Sequence, residues 1–467
     1  MRGCVFLQGA DPVQRHLAHG AFGPLCAAHD VAFVALRSSE NMTEALIRDH
    51  APHPVGEIAW VPHRPERMAA WIDLFNISCI RHRDRSPSFR VRHRESRQAD
   101  PARYERYERL ARPEAYHRHV VETERKLGLH PELVTTLEAL KPEFIVLPSL
   151  LLDSGTDDLL QAADALDVPV LLLQTGWDNL CSKGLLLRLP TLMGVWGSQS
   201  LDHAVRVQNM PRERIRIVGA PHFDAFRRCR EARDAGLAER LGLEPGIPSM
   251  LFAGTLRYFD ETTLLREMDE RIERRELPAM RVVYRPHPWR LRREHEESFL
   301  DHSWRHVVMD PEREDSYRAT KEKNTTITSR HRTFSMHYLA SLYSVLDAVV
   351  SPMSSVLLES MAAGLPIMAT AFGDGVHSWS ADTVSRMMHF EDWFNLEETL
   401  ACRDREEFFD HLPRLLSMAG EPGMAGRLRA AMQPLVMTGD DTYGDRVLRC
   451  VAELPGRFGS SSAGEAA

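Results

Sequence analysis

Two places in the second half of the chain combine an apolar run with a polar turn that could hold a phosphate. The run 280–284 leads into Arg285-Pro286-His287-Pro288, and the run 345–350 leads into a turn that contains Ser354 and Ser355. Arginine offers a planar fork that matches phosphate oxygens, and histidine can donate a hydrogen bond. Serines that begin a helix lie beside free backbone amides and the positive end of the helix dipole. The two turns therefore predict a site for a diphosphate.

Three further residues of the second half could complete that site. Glu359 lies about one turn into the helix that the serines begin, where its carboxylate could accept hydrogen bonds from ribose hydroxyls. Thr255 and Arg257 follow the apolar run 249–253, and Gly254 would let the backbone approach a ligand closely. The alternative for each turn is an ordinary capped helix or loop whose polar side chains are solvated.

In the first half, residues 174–184 place an acid, an amide, a hydroxyl and a cation in one loop after an apolar run. Asp178 is the first candidate for a general base that takes a proton from an acceptor hydroxyl. Asp153 and then Asp11 are the next candidates, since each also follows an apolar run. Lys183 could contact a phosphate or an acidic sugar. The alternative is an Asx-type turn that caps the next segment.

Short apolar runs that alternate with helical stretches predict an α/β fold with parallel sheets. Continuous Val, Ile and Leu runs are typical of strands that are buried on both faces. The first series of runs is 4–7, 31–36, 58–61, 144–147, 168–173, 193–196 and 215–218, and the second is 249–255, 281–284, 306–309, 346–350 and 366–370. Two series predict two Rossmann-like domains that face a cleft.

A charged helical region at 222–246 separates the two series. We therefore predict an N-terminal acceptor-side domain at 1–222 and a C-terminal domain that binds the nucleotide donor at 223–458. The tail 459–467 is predicted to be disordered because it has almost nothing to bury. The segment 81–119 interrupts the first series with twelve arginines against six acids. It is either a solvated surface excursion or a basic patch for an anionic acceptor or lipid headgroups.

The composition excludes several classes of protein. A net charge of −8 argues against bulk nucleic-acid binding. The seven cysteines form no C-x-x-C pair, which favours reduced thiols over disulfides or a zinc site. The first apolar run is too short for a signal peptide, and no run approaches a membrane span. We expect a cytoplasmic protein, with work at the inner face of the membrane as an open alternative.

Several familiar catalytic signatures do not occur. The sequence contains no G-x-G-x-x-G after the first run, no P-loop and no G-x-S-x-G nucleophile elbow. It also contains no D-x-D cluster that would hold a metal ion bound to a nucleotide sugar. We therefore expect neither a metal nor another cofactor.

Parts of the chain resemble the surface-polysaccharide branch of the GT-B-fold glycosyltransferases, which includes capsule-polysaccharide and CDP-glycerol glycerophosphotransferase-like enzymes. The resemblance is carried by 174–184, Val195-Trp196-Gly197 and 218–224, together with the Arg285 turn and the segment 351–366. It covers roughly residues 140–375. It implies that the nucleotide lies on the second domain and that the acceptor and base lie on the first. Arg285, His287, Ser354, Ser355 and Glu359 fall on the donor-site positions.

The resemblance implies a metal-independent glycosyltransferase that moves a sugar from a nucleotide sugar to a hydroxyl acceptor. The acceptor would be a glycan or a lipid-linked sugar in surface polysaccharide or glycoconjugate synthesis. The CDP-glycerol-type glycerophosphotransferases usually have a longer chain with a membrane-associating segment, so sugar transfer is the preferred prediction. Glycerophosphate transfer and a UDP-sugar epimerase-like reaction on the same fold remain the alternatives.

Overall fold

The computed structural model describes residues 1–37, 42–151, 154–254, 260–287, 298–314, 317–318, 335–374 and 381–454. The chain divides into two compact units. The first contains Met1–Pro221 and the segment that begins at Leu435, and the second is His222–Pro434. Each unit has its own parallel sheet with helices, so the predicted α/β fold with two Rossmann-like domains is confirmed.

The sheet of the first unit has seven parallel strands in the order β3-β2-β1-β4-β5-β6-β7. The strands are β1 Arg2–Leu7, β2 Asp30–Arg37, β3 Ile58–Pro62, β4 Phe144–Ser149, β5 Val170–Gln174, β6 Leu192–Val195 and β7 Ile215–Ile217. Alternate residues of β1 are buried on opposite faces, with Cys4 and Phe6 in one apolar cluster and Val5 and Leu7 in another. Both faces are therefore covered, as continuous apolar strands require.

The described helices of the first unit cover these faces. They are α1 Ala10–Arg15, α2 Gly23–Ala28, α3 Glu44–His50, α4 Pro65–Arg81, α5 Pro87–Ala99, α6 Pro101–Leu110, α7 Pro113–Leu127, α8 Pro131–Leu140, α9 Ser154–Ala165, α10 Ser198–Arg206 and, near the C-terminus, α19 Tyr443–Ala452. Each of α4 to α8 begins with a proline, whose fixed φ and missing amide suit the first helical position. The arginine-rich segment 81–119 lies in this helical insertion between β3 and β4.

The sheet of the second unit has six parallel strands in the order β10-β9-β8-β11-β12-β13. The strands are β8 Ser249–Ala253, β9 Arg281–Arg285, β10 Val307–Met309, β11 Ala348–Pro352, β12 Ile367–Thr370 and β13 Leu400–Cys402. The described helices are α11 Phe223–Arg228, α12 Ala235–Arg240, α13 Glu261–Glu273, α14 Met336–Val345, α15 Val356–Ala363, α16 Ala381–Val384, α17 Arg405–Met418 and α18 Met424–Met432. The strand order is that of a Rossmann fold.

Every predicted run overlaps an observed strand. Among the described strands, only β13 was not predicted, because the sequence has no extended apolar run there. The tail 459–467 falls outside the described residues. Within the described ranges, every helix is too short or too polar to cross a membrane.

The predicted domain division needs correction at the C-terminal end. The sequence placed residues up to 458 in the second domain, but α19 packs in the first unit. Tyr443, Val447 and Val451 join the same apolar cluster as Val5 and Leu7 of β1. The amphipathic pattern of α19 shows that the helix has a buried face, but it does not show which sheet covers that face.

Candidate functional site

The carboxyl ends of β8 and β11 mark the place where a ligand is expected in the second unit. These two strands are neighbours, and the strand order reverses direction between them. In open parallel sheets, ligands bind outside the carboxyl ends at such a switch point. Gly254 follows β8 directly, and Ser354 and Ser355 follow β11. The sequence motifs and the strand order therefore both indicate a ligand site at the carboxyl ends of β8 and β11.

Helix α15 begins at this edge and presents its N-terminus there. Ser355 is the N-cap residue, yet its backbone is helical, with φ −64° and ψ −18°, and its side chain does not cap the first-turn amides. Its hydroxyl instead donates to Glu359 Oε1 at 3.1 Å. The hydroxyls of Ser351 and Ser354 lie 2.9 Å apart. The amides of Leu357 and Leu358 donate to the carbonyls of Ser354 and Ser355, so the amides of Ser355 and Val356, together with the helix dipole, are what this helix end offers to an anion.

Glu359 lies beneath the start of α15 and is only 4% exposed. The phenol of Tyr343 donates to Glu359 Oε2 at 3.3 Å, while Ser355 donates to the other oxygen. Burial and the neighbouring Glu359 raise the pKa of Tyr343 well above its usual value, so the phenol keeps its proton. Both carboxylate oxygens thus have protein donors. The predicted contact of Glu359 with a ribose stays a prediction.

Arg285 ends β9, and its guanidinium is enclosed by two carboxylates. One terminal nitrogen pairs with Asp310, and the other donates to Glu312 at 2.6 Å. The side chain is 9% exposed, and that of Asp310 is fully buried. Burial alone would lower the pKa of Arg285, but the two carboxylates raise it above the ordinary value. The terminal nitrogens therefore have partners within the protein, on the side of β9 that faces β10.

Tyr338 completes this cluster and was not singled out from the sequence. Its hydroxyl donates to Asp310 Oδ1 at 2.6 Å, and its ring lies 5.7 Å from the guanidinium carbon of Arg285. Asp310 and Glu312 were missed as well. The sequence signal that could have identified Asp310 is its position, because it directly follows β10 just as Arg285 ends β9.

Three predicted residues of the second half remain to be placed, namely His287, Thr255 and Arg257. His287 lies two residues beyond the end of β9 and is half-buried. Thr255 and Arg257 lie outside the described residues. A Cβ atom on Gly254 would lie 2.5 Å from Glu261 Oε2, so any larger residue in this turn after β8 would displace the buried carboxylate of Glu261.

In the first unit, Asp178 and Lys183 lie in one short turn after β5. Lys183 Nζ is 3.0 Å from Asp178 Oδ2, and the hydroxyl of Ser182 donates to the same oxygen at 2.6 Å. The two side chains are 25% and 30% exposed, so both reach the surface. The ion pair and the hydroxyl of Ser182 together hold the carboxylate of Asp178 in one position.

The loop around this pair is braced by buried side chains. Gln174 donates to the carbonyls of Gly176 and Trp177 at 2.9 and 3.1 Å, and its own oxygen accepts from the amide of Trp196 at 3.1 Å. Much of the polar density noted in the sequence therefore holds the loop in place. Asp153 and the side chain of Asp11 lie outside the described part of the chain, so Asp178 is the only candidate base with a described position.

Neither a protein-family model nor a curated protein matches the sequence. Among solved structures, the UDP-GlcNAc 2-epimerase of Neisseria meningitidis bound to UDP-GlcNAc aligns over 97% of this chain and all of that chain, with 10% identity and a TM-score of 0.55. MnaA of S. aureus with UDP aligns over 98% and 100%, with 10% identity and a TM-score of 0.52. These matches show a shared fold of two Rossmann-like domains.

A glycosyltransferase of Rickettsia africae also aligns over 97% of both chains, with 10% identity. The TM-score of this alignment is 0.48. Within the described residues, no three His, Cys, Asp or Glu side chains are grouped so that they could hold a metal ion.

Proposed function

We propose that this chain is a nucleotide-sugar-dependent glycosyltransferase whose donor diphosphate binds at the start of α15. One observation carries the proposal. The N-terminus of α15, uncapped by side chains, lies at the switch point of a sheet with Rossmann strand order. The amides there and the hydroxyl of Ser354 supply hydrogen-bond donors for phosphate oxygens, whereas the buried hydroxyl of Ser351 donates to the carbonyl of Pro352 at 2.8 Å. Such fixed donors also stabilise the charge that grows on a departing nucleotide.

The other predicted residues take separate roles in this proposal. His287, Thr255 and Arg257 follow β9 and β8 and are proposed to contact the donor, on the evidence of their sequence positions. Arg285 is proposed to hold Asp310 in place at the carboxyl edge of the second sheet, because its terminal nitrogens already bind carboxylates.

In the first unit, Asp178 is the proposed base that deprotonates the acceptor hydroxyl, with Asp153 as the alternative. Lys183 is proposed to hold Asp178 in position and to contact a phosphate or an acidic sugar. No step of the proposed reaction uses a metal ion, since the helix end supplies the donors for the leaving group. The finer proposal of surface-polysaccharide synthesis on a glycan or lipid-linked acceptor rests on the sequence resemblance alone, as does the alternative donor CDP-glycerol.

A UDP-sugar epimerase is the second candidate. It is supported by the fold that this chain shares with the UDP-GlcNAc 2-epimerase of Neisseria meningitidis, whose entire chain aligns with this one. An epimerase would use the same kind of diphosphate site but would need no acceptor.

Two measurements test these proposals. The first is thermal unfolding in the presence of UDP, GDP, CDP, CMP or dTDP, because a ligand at 100 times its Kd adds about 2.7 kcal/mol of apparent stability. The second follows the matching nucleotide sugar, or CDP-glycerol, by proton NMR in EDTA, with and without simple glycosides as acceptors. Nucleotide release that depends on the acceptor supports transfer. Interconversion of the sugar without acceptor supports the epimerase, and the absence of any nucleotide binding contradicts both.

A further inference from the structure

The helical insertion of the first unit contains a surface recess of about 610 Å³. It is formed where α4 ends, along α6 and at the start of α7, away from the strands of the sheet. This volume is within the roughly 300–1,000 Å³ that is typical of small-molecule sites. Ile80, Ala111 and Pro113 supply its apolar lining. The recess is distinct from the helix end proposed for the nucleotide, since it belongs to the other unit.

Four arginines line this recess: Arg81, Arg83, Arg109 and Arg112. Arg81 is held in place, because its guanidinium donates to the carbonyl of Ala111 at 3.2 Å and lies 5.2 Å from the centre of the Tyr116 ring. Within the described residues, the other three guanidinium groups make neither an ion pair nor a hydrogen bond. One fixed and three available guanidinium groups can together surround an anion.

The backbone adds to this positive field. Residues Ala111, Arg112 and Pro113 bring the start of the fifteen-residue helix α7 to the recess, and no side chain caps that helix. The positive end of its dipole therefore lies at the lining. Burial, and after it the neighbouring Arg85 and Arg81, lower the pKa of His82 to about 4, so this histidine is neutral at pH 7.

Three carboxylates also line the recess, those of Asp84, Glu105 and Glu108. A ligand that carries only negative charge would be repelled by them. Carboxylates are strong acceptors for hydroxyl groups. The lining thus suits a ligand that has an anionic group for the arginines and hydroxyls for the acids.

We propose that this recess binds a phosphorylated sugar or polyol, with its phosphate on Arg83, Arg109 and Arg112 and its hydroxyls on Glu105 and Glu108. The phosphate ester could belong to a free sugar phosphate or to a lipid headgroup, and both present the same chemistry. The inference does not depend on the proposed transferase activity, because the binding can be measured directly on the full chain.

The test titrates the full-length protein with glucose 1-phosphate by calorimetry and measures its sedimentation with vesicles that contain phosphatidylinositol. The variant Arg109→Gln/Arg112→Gln removes two exposed guanidinium groups that have no described partner, so the fold should be kept. We expect at least about tenfold weaker binding, the loss expected for charge-assisted hydrogen bonds. The control Arg94→Gln/Arg118→Gln removes the same charge from exposed arginines outside the recess and should bind normally.

A second variant tests the hydroxyl contacts. Glu105→Ala/Glu108→Ala should weaken glucose 1-phosphate binding but strengthen binding of inorganic phosphate, because the repulsion is removed while the hydroxyl acceptors are lost. Binding of only the soluble ligand or only the vesicles identifies the source of the phosphate ester. The proposal is overturned if neither probe binds, if the control is weakened equally, or if inorganic phosphate binds as tightly as glucose 1-phosphate.

Discussion

The environment of Arg285 decides what that side chain can do. From the sequence it is an arginine at the end of a strand, which predicts a phosphate contact. In the structure its terminal nitrogens bind Asp310 and Glu312, and Asp310 is fully buried. The strand end was predictable from the apolar run and the prolines that follow it. The carboxylate partners were not, because they lie 25 and 27 residues further along the chain and meet Arg285 only when β10 pairs with β9.

Replacement of Arg285 by alanine should therefore act mainly on stability. Loss of one partner from a buried pair leaves an uncompensated charge, which typically costs about 3–5 kcal/mol. Urea unfolding should show a loss of this size for Arg285→Ala. The matched control Arg274→Ala removes an exposed i,i+4 pair and should change the free energy of unfolding by less than about 0.5 kcal/mol. Unchanged stability combined with weaker nucleotide binding would instead restore Arg285 as a direct phosphate contact.

One element, helix α15, supplies more of the candidate site than any single side chain does. Helix α15 follows β11 after a short serine turn and ends at Gly364, whose φ of 74° favours glycine. The sequence predicted this strand, turn and helix because buried parallel strands are continuous apolar runs and helix ends have distinct residues. It did not predict that the Ser355 hydroxyl would turn inward to Glu359 and leave the first-turn amides without a side-chain cap.

The pair Ser354→Asp and Ser354→Asn isolates the electrostatics of this helix end. A negative side chain beside the helix N-terminus should keep or slightly raise stability, by roughly 0.3–1 kcal/mol. The same charge should repel a diphosphate and weaken nucleotide binding by at least about tenfold, while the nearly isosteric asparagine should have a much smaller effect. Calorimetric titration with the nucleotide that gives the largest thermal shift measures the affinities of the two variants, and urea unfolding measures their stabilities. Equal affinities for the two variants would show that the diphosphate lies elsewhere.

At the scale of the whole molecule, each unit has its own apolar core, but the first unit draws on both ends of the chain. Helix α19 packs on the cluster that contains Val5 and Leu7, and Thr442 starts this helix with a reciprocal capping box. The number and class of domains could be predicted from two series of apolar runs. The assignment of the last helix could not, since an amphipathic helix fits any sheet that has an uncovered face.

A change in α19 should loosen the first unit selectively. Val447 is fully buried, so Val447→Ala should reduce stability by about 2 kcal/mol through lost burial and a small cavity. Hydrogen exchange should become faster in β1 and β2 and stay unchanged in β8 and β11. Val282→Ala, at a fully buried position of β9, should give the opposite pattern. Faster exchange in both sheets after either change would contradict separate cores.

The placement of α19 also has a consequence for synthesis on the ribosome. The N-terminal residues emerge first, yet the cluster around β1 is incomplete until the last helix has been translated. The second unit, in contrast, lies within one continuous stretch of chain and can close its core as soon as Pro434 has emerged. The half that is made first is therefore finished last, and until α19 has been made, helix α2 and strand β6, which it contacts, lack that cover and expose apolar surface of the kind that chaperones bind.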